Sequence, residues 1–266
     1  MTEQEYIARA YHSIFRYSLS SPELKKWRAG HKLFVRNKLL IQKAVFRVGT
    51  SSIEKEDLDF KRAVAKRAAG YLSKIPFILF VGISGSLAMN NAKPQSDIDL
   101  FIITQKNTLW ISRFFSLVLL SLNHFSLRRA QNKNERNKIC LNLWIDQNAL
   151  TMPDMPQNAY TAHEIAQVVP LYNKMDTYSQ WINKNDWING YWPDAISLSP
   201  NTLIKSSSST SRILVFLNTV FYVIQRMYMH GKITREKVTI HYAYFHPFDW
   251  GEVVMKELKK KGIVEA

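Results

Sequence analysis

One short segment constrains the fold of this chain more than any other. Gly85-Ser86 follows an apolar run, and after nine further residues Ser96-Asp97-Ile98-Asp99 leads into a second apolar run. The pattern predicts a strand, a tight turn of small residues, a short connection and a second strand. Because side chains alternate along a strand, we expect Asp97 and Asp99 to lie on the same face.

This pair of carboxylates predicts a metal site. Two neighbouring carboxylates repel each other unless a cation lies between them, and hard oxygen ligands favour Mg²⁺ or Mn²⁺. The Gly85-Ser86 turn offers backbone N–H groups and a hydroxyl to phosphate oxygens. An exposed strand edge with solvated acids would explain the aspartates alone, but the neighbouring turn argues against it. Together the two features predict nucleotide chemistry.

The stretch from Gly85 to Leu100 resembles the signature of the DNA polymerase β-like nucleotidyltransferase superfamily. It is most similar to the minimal and antibiotic-type branch, which carries Gly-Ser-x-Ala-Arg-Gly, a short spacer and Ser-Asp-Ile-Asp-Leu. Uncharacterised bacterial nucleotidyltransferase-domain proteins also resemble the wider chain, without indicating a substrate. The resemblance implies a small mixed sheet with helices. It also implies transfer of a nucleoside monophosphate from an NTP to an acceptor, with Mg²⁺ or Mn²⁺ bound by Asp97 and Asp99.

The sequence departs from the family pattern at two places. Met89-Asn90 replaces Arg-Gly, and we expect the turn to persist because Asn tolerates a positive φ. The family's third carboxylate lies on a later strand, for which 139–145 is the candidate, and Asn142 stands at its position. Alternation along a regular strand places Asp146 on the same face, so it is a candidate substitute. A buried structural amide and a strand-end turn residue are the alternatives for these two positions.

The candidate site residues follow from the motif and from the resemblance. The candidate catalytic residues are Asp97, Asp99, Asp146 and Asn142, and the candidate substrate-binding residues are Gly85, Ser86, Ser96 and Lys93. The expected metal ligands are Asp97 and Asp99. An NTP is the expected donor, while the acceptor remains open between a small molecule, a protein and RNA.

Charge is unevenly distributed along the chain. The formal net charge is +15, and residues 1–80 contribute +9 from 16 basic and 7 acidic side chains. One helix is predicted from Ser21 to Val48 and another from Ile53 to Ser73. Basic residues on these two helices include Lys25, Lys26, Arg28, Lys32, Arg36, Lys38, Lys43, Arg47, Lys61, Arg62, Lys66 and Arg67. A basic helical face attracts RNA, a polyphosphate or an anionic membrane surface, and a solvated face is the alternative.

Several partners and locations are not expected. The single Cys140 excludes an internal disulfide and a cysteine-based zinc site, so we expect a buried, inert thiol. The first residues lack a signal-peptide pattern, which predicts a cytoplasmic location. Two apolar helices, Thr108–Leu127 and Arg212–His230, contain polar residues that fit packed helices better than membrane spans.

Taken together, these features predict an α/β (α+β) protein with flanking helical regions. We expect a basic helical region over 1–75, a nucleotidyltransferase-like core over 76–150 and a helical region over 151–266. The predicted function is metal-dependent transfer of a nucleoside monophosphate. A catalytically weakened module that binds nucleotide or RNA is the alternative, and a membrane-surface adaptor is a third hypothesis.

Overall fold

A six-stranded mixed sheet, in the strand order β5-β2-β3-β4-β7-β6, is the centre of the computed structural model. The structure describes residues 1–44, 46, 55–128, 135–196, 211–231, 236–245 and 250–266. The strands are β1 (Leu33–Val35), β2 (Ile78–Ile83), β3 (Ile98–Thr104), β4 (Ile139–Asp146), β5 (Val169–Asn173), β6 (Lys237–Val238), β7 (Tyr242–Tyr244) and β8 (Ile263–Glu265). The predicted α+β class is confirmed.

The helices lie on both faces of the sheet. They are α1 (Glu3–Ile14), α2 (Ser21–Lys26), α3 (Leu39–Lys43), α4 (Lys55–Leu72), α5 (Gly85–Ala88), α6 (Leu109–Leu122), α7 (Ala159–Ala166), α8 (Thr177–Asn183), α9 (Arg212–Met229) and α10 (Trp250–Lys260), with a 3₁₀ helix at Asp186–Gly190. Helices α4, α6 and α9 contribute to the hydrophobic core on one face, and α1, α7, α8 and α10 contribute to the core on the other.

The predicted strands form the middle of the sheet. Strands β2 and β3 pair antiparallel, whereas β3 and β4 are parallel and are joined through α6. Every residue of β2 and β4 is buried, as expected for strands covered on both faces. On β3, Phe101 packs against Trp181 of α8 at 4.7 Å between ring centroids, whereas Ile102 belongs to the opposite core with Trp110. Asp99 has the parity of Phe101 and therefore faces the side of α1 and α7.

A β-bulge in β4 changes which side chains share a face. Asp99 lies opposite Cys140 and Phe101 lies opposite Leu143, so two residue steps on β3 span three on β4. Leu143 consequently belongs to the core on the α7 side, whereas Trp144 belongs to the core on the α6 side. The prediction that Asp146 shares the face of Asn142 is therefore wrong, because Asp146 lies beyond the bulge and has the parity of Trp144.

The N-terminal region does not contain the single helix predicted from Ser21 to Val48. Helix α2 ends at Lys26, and β1 pairs antiparallel with β8 at the far end of the chain. The intervening Gly30 donates from its backbone N–H to Tyr191 O at 2.7 Å, and a Cβ on Gly30 would lie 2.3 Å from Gly190 O. These long-range contacts override the local helical pattern, and the predicted end of the helix lies outside the described residues.

The predicted basic face is therefore divided among several elements. Lys61 is not part of it, because this side chain is fully buried. Its Nζ donates to Ser96 O at 2.7 Å and to Asn137 Oδ1 at 2.6 Å, so it joins the segment before β3 to the segment before β4. The predicted contribution of Lys61 to an exposed surface is wrong.

The C-terminal region supplies strands as well as helices. Helix α9 lies where the helix Arg212–His230 was predicted, and α7 and α8 lie within the region predicted to be helical, but β5, β6 and β7 complete the central sheet from the same region. Helix α10 and the strand β8 were not predicted. The division of the chain into three regions, with boundaries at 75/76 and 150/151, stays a prediction.

Helix α9 packs against α6 through polar side chains. Asn218 Oδ1 accepts from the backbone N–H of Trp110 at 2.8 Å and of Ile111 at 3.3 Å, in the first turn of α6. Gln225 Nε2 donates to Trp110 O at 2.8 Å. The outer face of α9 exposes Ile213, Phe216, Val220, Val223, Ile224, Met227 and Tyr228. Over the described residues, none of the helices has the length and apolar character needed to cross a membrane.

The contact from Asn218 gives a first prediction. Replacing Asn218 with Ala removes the acceptor for two buried N–H groups at the start of α6, which costs about 1–3 kcal/mol of unfolding free energy. Urea unfolding followed by circular dichroism measures the loss. Thr219→Ala is the matched control because Thr219 is exposed on the same helix. Equal losses in the two variants would contradict this role of Asn218.

Candidate functional site

The acid pair lies where the end of β2 meets the start of β3. The backbone N–H of Ser84 donates to Asp99 O at 3.0 Å, which joins the two strand ends. Gly85 follows with φ of +61°, and a Cβ at this position would lie 2.6 Å from Asp99 Oδ2. Only glycine combines this left-handed conformation with so close an approach. The Gly85-Ser86 turn and the carboxylate of Asp99 therefore form one compact unit.

The turn that follows has the conformation expected from the sequence. Residues Gly85–Ala88 form the short helix α5, and Asn90 adopts φ of +57°. The Asn90 side chain also accepts a hydrogen bond from Arg62 Nη2. The expectation that Asn would tolerate a positive φ in place of glycine is confirmed.

Three potential ligand atoms converge beside this turn. Carboxylate oxygens of Asp97 and Asp99 and the Sγ of Cys140 all lie within 4.8 Å of one another. Arg128 Nη1 donates to Asp97 Oδ2 at 2.7 Å, and Arg128 Nη2 lies 2.6 Å from Glu135 Oε1. The guanidinium therefore compensates the charge of Asp97 in this structure. The sequence predicted Cys140 only as a buried, inert thiol and did not include it among the site residues; the thiol is buried.

Asp99 is the electrostatically strained member of the pair. Burial, followed by the charge of Asp97, raises the pKa of Asp99 to about 8. Asn142 Nδ2 donates to Asp99 Oδ1 at 2.7 Å, while the buried Asn142 Oδ1 has no hydrogen-bond partner among the described residues. Burial also raises the pKa of the Cys140 thiol, which favours its neutral form. The charge of Asp97 is therefore balanced by Arg128, whereas no comparable ion pair balances the charge of Asp99 among the described residues.

Two cavities lie beside Asp99. The larger cavity has a volume of about 440 Å³ and is lined by polar groups that include Ser86, Asp97 and Arg128. The smaller cavity has a volume of about 190 Å³ and is lined mainly by apolar side chains, among them Leu143 and Trp181. Residues common to both are Gly85, Asp99, Asn142, Tyr160, Glu164 and Trp250.

The other predicted substrate-binding residues are placed unequally. Ser96 lines the larger cavity, and its Oγ accepts from the Lys93 backbone N–H at 3.1 Å within the turn before β3. The side chain of Lys93 is exposed and lines neither cavity. The structure therefore brings Ser86 and Ser96 to the acid pair but leaves Lys93 outside the cavity walls.

Asp146 is not brought to the acid pair. It lies opposite Thr104, five residues beyond Asp99 on β3, which is about 16 Å along the strand. Its carboxylate accepts from the backbone N–H of Asn107 and Asn148 and lies 2.9 Å from His241 Nδ1. The sequence prediction of Asp146 as a substitute acid is wrong because the bulge in β4 reverses its face. Asp146 instead organises the loop after β3.

Glu164 of α7 is the acidic residue that sequence reasoning missed. It lines both cavities, and Gln167 Nε2 donates to its Oε1 at 2.6 Å. Burial raises the pKa of Glu164 to about 7. It does not join the three-residue ligand cluster, and neither does any other carboxylate beyond residue 104 within the described ranges. The sequence analysis missed Glu164 because α7 is far from β3 along the chain and comes close to it only in the folded protein.

A pair of buried imidazoles forms part of the wall of the larger cavity. His12 Nδ1 lies 2.8 Å from Ala8 O, and His12 Nε2 lies 3.1 Å from His163 Nε2. His163 also stacks on Trp27 at 4.0 Å between ring centroids. Burial lowers the pKa of His12 to about 4 and lowers that of His163 well below its ordinary value. Both rings are therefore neutral at pH 7 and act as rigid packing.

Comparison with known proteins supports the family resemblance over the central segment. Residues 66–148 match the family model described as a nucleotidyltransferase domain, so the predicted resemblance is confirmed for this part of the chain. The match also supports the prediction that the protein is a transferase. Among curated proteins, none matches the sequence.

One solved structure is similar over a limited region. This crystal structure is of a protein from Sulfolobus solfataricus whose proposed activity is nucleotidyl transfer. The similarity covers 38% of this chain and 82% of the other, at 19% sequence identity and a TM-score of 0.26. That score is too low to establish a shared fold for the whole chain.

Gly85 provides a direct test of the local geometry. In Gly85→Ala the new Cβ meets Asp99 Oδ2 and the backbone is strained at a positive φ, which together cost about 1–3 kcal/mol of unfolding free energy. Thermal unfolding measures this loss. Gly70→Ala is the control, because a Cβ there contacts nothing within 4 Å on α4. It is expected to stabilise the protein by about 0.5–1 kcal/mol, and an unchanged stability of Gly85→Ala would contradict the predicted clash.

Glu164 provides a test by pH. Because the pKa of Glu164 is raised in the folded protein, its ionisation destabilises the fold progressively between about pH 4.5 and about pH 7. Glu164→Gln removes that penalty, so the variant should unfold at a higher temperature than the parent at pH 8, with a smaller difference at pH 5. Glu56→Gln, an exposed control on α4, should show no such pH dependence. A destabilised Glu164→Gln at pH 8 would refute this expectation.

Proposed function

We propose that this protein transfers a nucleoside monophosphate from an NTP to an acceptor, using the acid pair of β3. One observation carries the proposal. Two carboxylates and a glycine turn form a single unit beside a polar cavity, within the segment that matches a nucleotidyltransferase domain. Transfer of this kind depends mainly on positioning and on neutralising phosphate charge, and both tasks fit the residues at this edge of the sheet.

The residues present fit a divalent cation. Asp97 and Asp99 offer hard oxygen ligands, and the raised pKa of Asp99 reflects carboxylate charge that lacks sufficient compensation. Asn142 Oδ1, which has no hydrogen-bond partner in the described part of the chain, is a further oxygen near the pair. Mg²⁺ or Mn²⁺ bound by Asp97 and Asp99 would supply Lewis-acid stabilisation of the phosphate charge. The neutral thiol of Cys140 makes this residue a poor ligand for either ion.

The larger cavity is the proposed site of the triphosphate. Ser86 offers a hydroxyl at its wall, and Arg128 offers a guanidinium that already lies between Asp97 and Glu135. Arginine binds phosphate oxygens in the same planar geometry that it uses for carboxylates. An incoming triphosphate would compete with Asp97 for Arg128 and so release a carboxylate oxygen for the cation.

A second candidate function is binding of nucleotide or RNA without transfer. Asn142 favours it, because the amide at the third-acid position cannot accept a proton. The pairing of Arg128 with Asp97 favours it as well, since it balances one of the two acids without a metal. The exposed basic residues near the N-terminus are compatible with RNA as the ligand or as the acceptor.

Radiolabel transfer distinguishes the two functions. Purified protein is incubated with each α-³²P-labelled NTP, Mg²⁺ or Mn²⁺, and a cell extract treated or not with RNase. We expect label on an acceptor in the parent protein and a loss of at least about 100-fold in Asp99→Asn, because a single electrostatic stabiliser contributes on that scale. Binding of Mn²⁺-NTP should weaken in the same variant.

The matched control is Asp59→Asn, which removes an exposed carboxylate on α4. It should transfer label at the rate of the parent protein. Transfer that persists in Asp99→Asn would overturn the mechanism. Metal-dependent NTP binding without any transfer, across all four nucleotides and both extracts, would favour the binding module instead.

A further inference from the structure

The smaller cavity meets the larger cavity at Asp99 and at Glu164. Residues of β2–β3, β4 and α7 line both spaces, so a molecule in one lies against a molecule in the other. This is the arrangement that a two-substrate transfer requires, because the donor and the acceptor must meet at one reacting atom. The larger cavity holds the cationic side chain of Arg128, which suits the donor.

The chemistry of the smaller cavity differs from that of its neighbour. Its apolar walls are formed by Leu143, Met152, Met155, Ile165, Val168 and Trp181. Two of its polar lining residues have hydrogen-bond partners, since Tyr242 Oη donates to the carboxylate of Asp154 and Lys237 Nζ donates to Asp154 O at 2.5 Å. Glu164 and Asp99 are the acidic groups on the side that faces the larger cavity.

We propose that the smaller cavity binds the acceptor, that the acceptor is a small and largely apolar molecule with a hydroxyl group, and that Glu164 receives the proton of this hydroxyl. The inference rests on the proposed function and specifies its unknown substrate. A volume of about 190 Å³ is below the range that holds drug-sized ligands, so the acceptor is small. Apolar walls gain free energy by burying an apolar body.

Macromolecular and anionic acceptors fit this space poorly. A phosphate-bearing acceptor would meet three carboxylates, those of Asp99, Asp154 and Glu164, whereas Lys237 is the one lysine or arginine among the described residues that line the cavity. An RNA end would lose its hydration against these apolar walls. A single hydroxyl, by contrast, can reach the acidic side of the cavity while the rest of the molecule contacts Met155, Ile165 and Trp181.

Glu164 occupies the place that an acceptor-activating base requires. It lies at the junction of the two cavities, whereas Asn142 cannot take a proton and Asp146 is about 16 Å away along the sheet. In the step, the acceptor O–H bond breaks and its proton passes to the Glu164 carboxylate. The oxygen forms a bond to the α-phosphorus, and the bond from that phosphorus to the bridging oxygen breaks. Pyrophosphate leaves with that electron pair.

The experiment uses the full chain, α-³²P-NTP with Mn²⁺, and an extract separated into macromolecules and small molecules. We expect label in the small-molecule fraction, on a product that is retained on a reverse-phase column longer than the nucleotide itself. Label that is confined to macromolecules and is released by RNase or protease would overturn the inference while supporting the proposed function. An absence of label in the parent protein would refute both.

Two variants test the cavity and the base separately. Met155→Trp fills the apolar space and should lower transfer at least tenfold while Mn²⁺-NTP binding is unchanged. Met227→Trp makes the same change on the exposed face of α9 and should have no effect. If Met155→Trp does not fold, Val168→Leu gives a smaller intrusion with a graded effect. Unchanged transfer in the folded cavity variants would exclude the smaller cavity as the acceptor site.

Glu164→Gln keeps the shape of the side chain and the acceptor for Gln167. It should lower kcat at least 100-fold, with unchanged KM for the NTP and unchanged Mn²⁺-NTP binding. Glu56→Gln is the control for loss of a carboxylate elsewhere. The stability change expected of Glu164→Gln does not depend on its role in transfer, so kcat is the deciding readout. A kcat close to that of the parent would show a merely structural role and refute the assignment of the base.

Discussion

The repulsion between two carboxylates at the end of a buried sheet is the constraint on which the surrounding structure depends. Asp97 is compensated by Arg128, Asp99 receives one hydrogen bond from Asn142, and burial still raises the pKa of Asp99 to about 8. Such an arrangement lowers the free energy of unfolding and does not improve the packing of the core. Perturbed acids in a cavity of this kind are typical of functional sites, because chemistry requires charge that folding alone would avoid.

The neighbouring elements hold this unfavourable unit in place. Gly85 admits the Asp99 carboxylate to within van der Waals contact of the backbone, and the Ser84 N–H joins β2 to the residue that bears it. Lys61 holds the preceding segment from outside the sheet through two short hydrogen bonds. Burial removes the charged group of this lysine from water, but its hydrogen bonds fix the position of the segment that precedes β3. Such rigidity suits a site where displacement of about 1 Å lowers the reaction rate substantially.

The sequence predicted the structural features that neighbouring residues determine, and the predictions failed where distant segments of the chain meet. The strands around the motif, the turn and the positive φ of Asn90 follow from residues close together in the chain, and all were predicted. The bulge in β4 depends on how that strand pairs with both neighbours, so alternation alone misplaced Asp146. The pairing of β1 with β8 and the contact of Gly30 with Gly190 likewise have no local signal, which is why a single long helix was predicted there.

Glu164 shows the same limitation at the site itself, and its position has a consequence for specificity. In the proposed reaction the proton acceptor lies on α7, and the next residue on this helix, Ile165, is part of the apolar wall of the smaller cavity. One rigid helix would then contact the acceptor body and orient the base toward its hydroxyl. An acceptor that fails to fill the apolar space would leave its hydroxyl poorly aligned with Glu164, so recognition and proton removal would be selected together. A base on β4, at the position of Asn142, would be held by the sheet. Its orientation would then not depend on how the acceptor packs against α7.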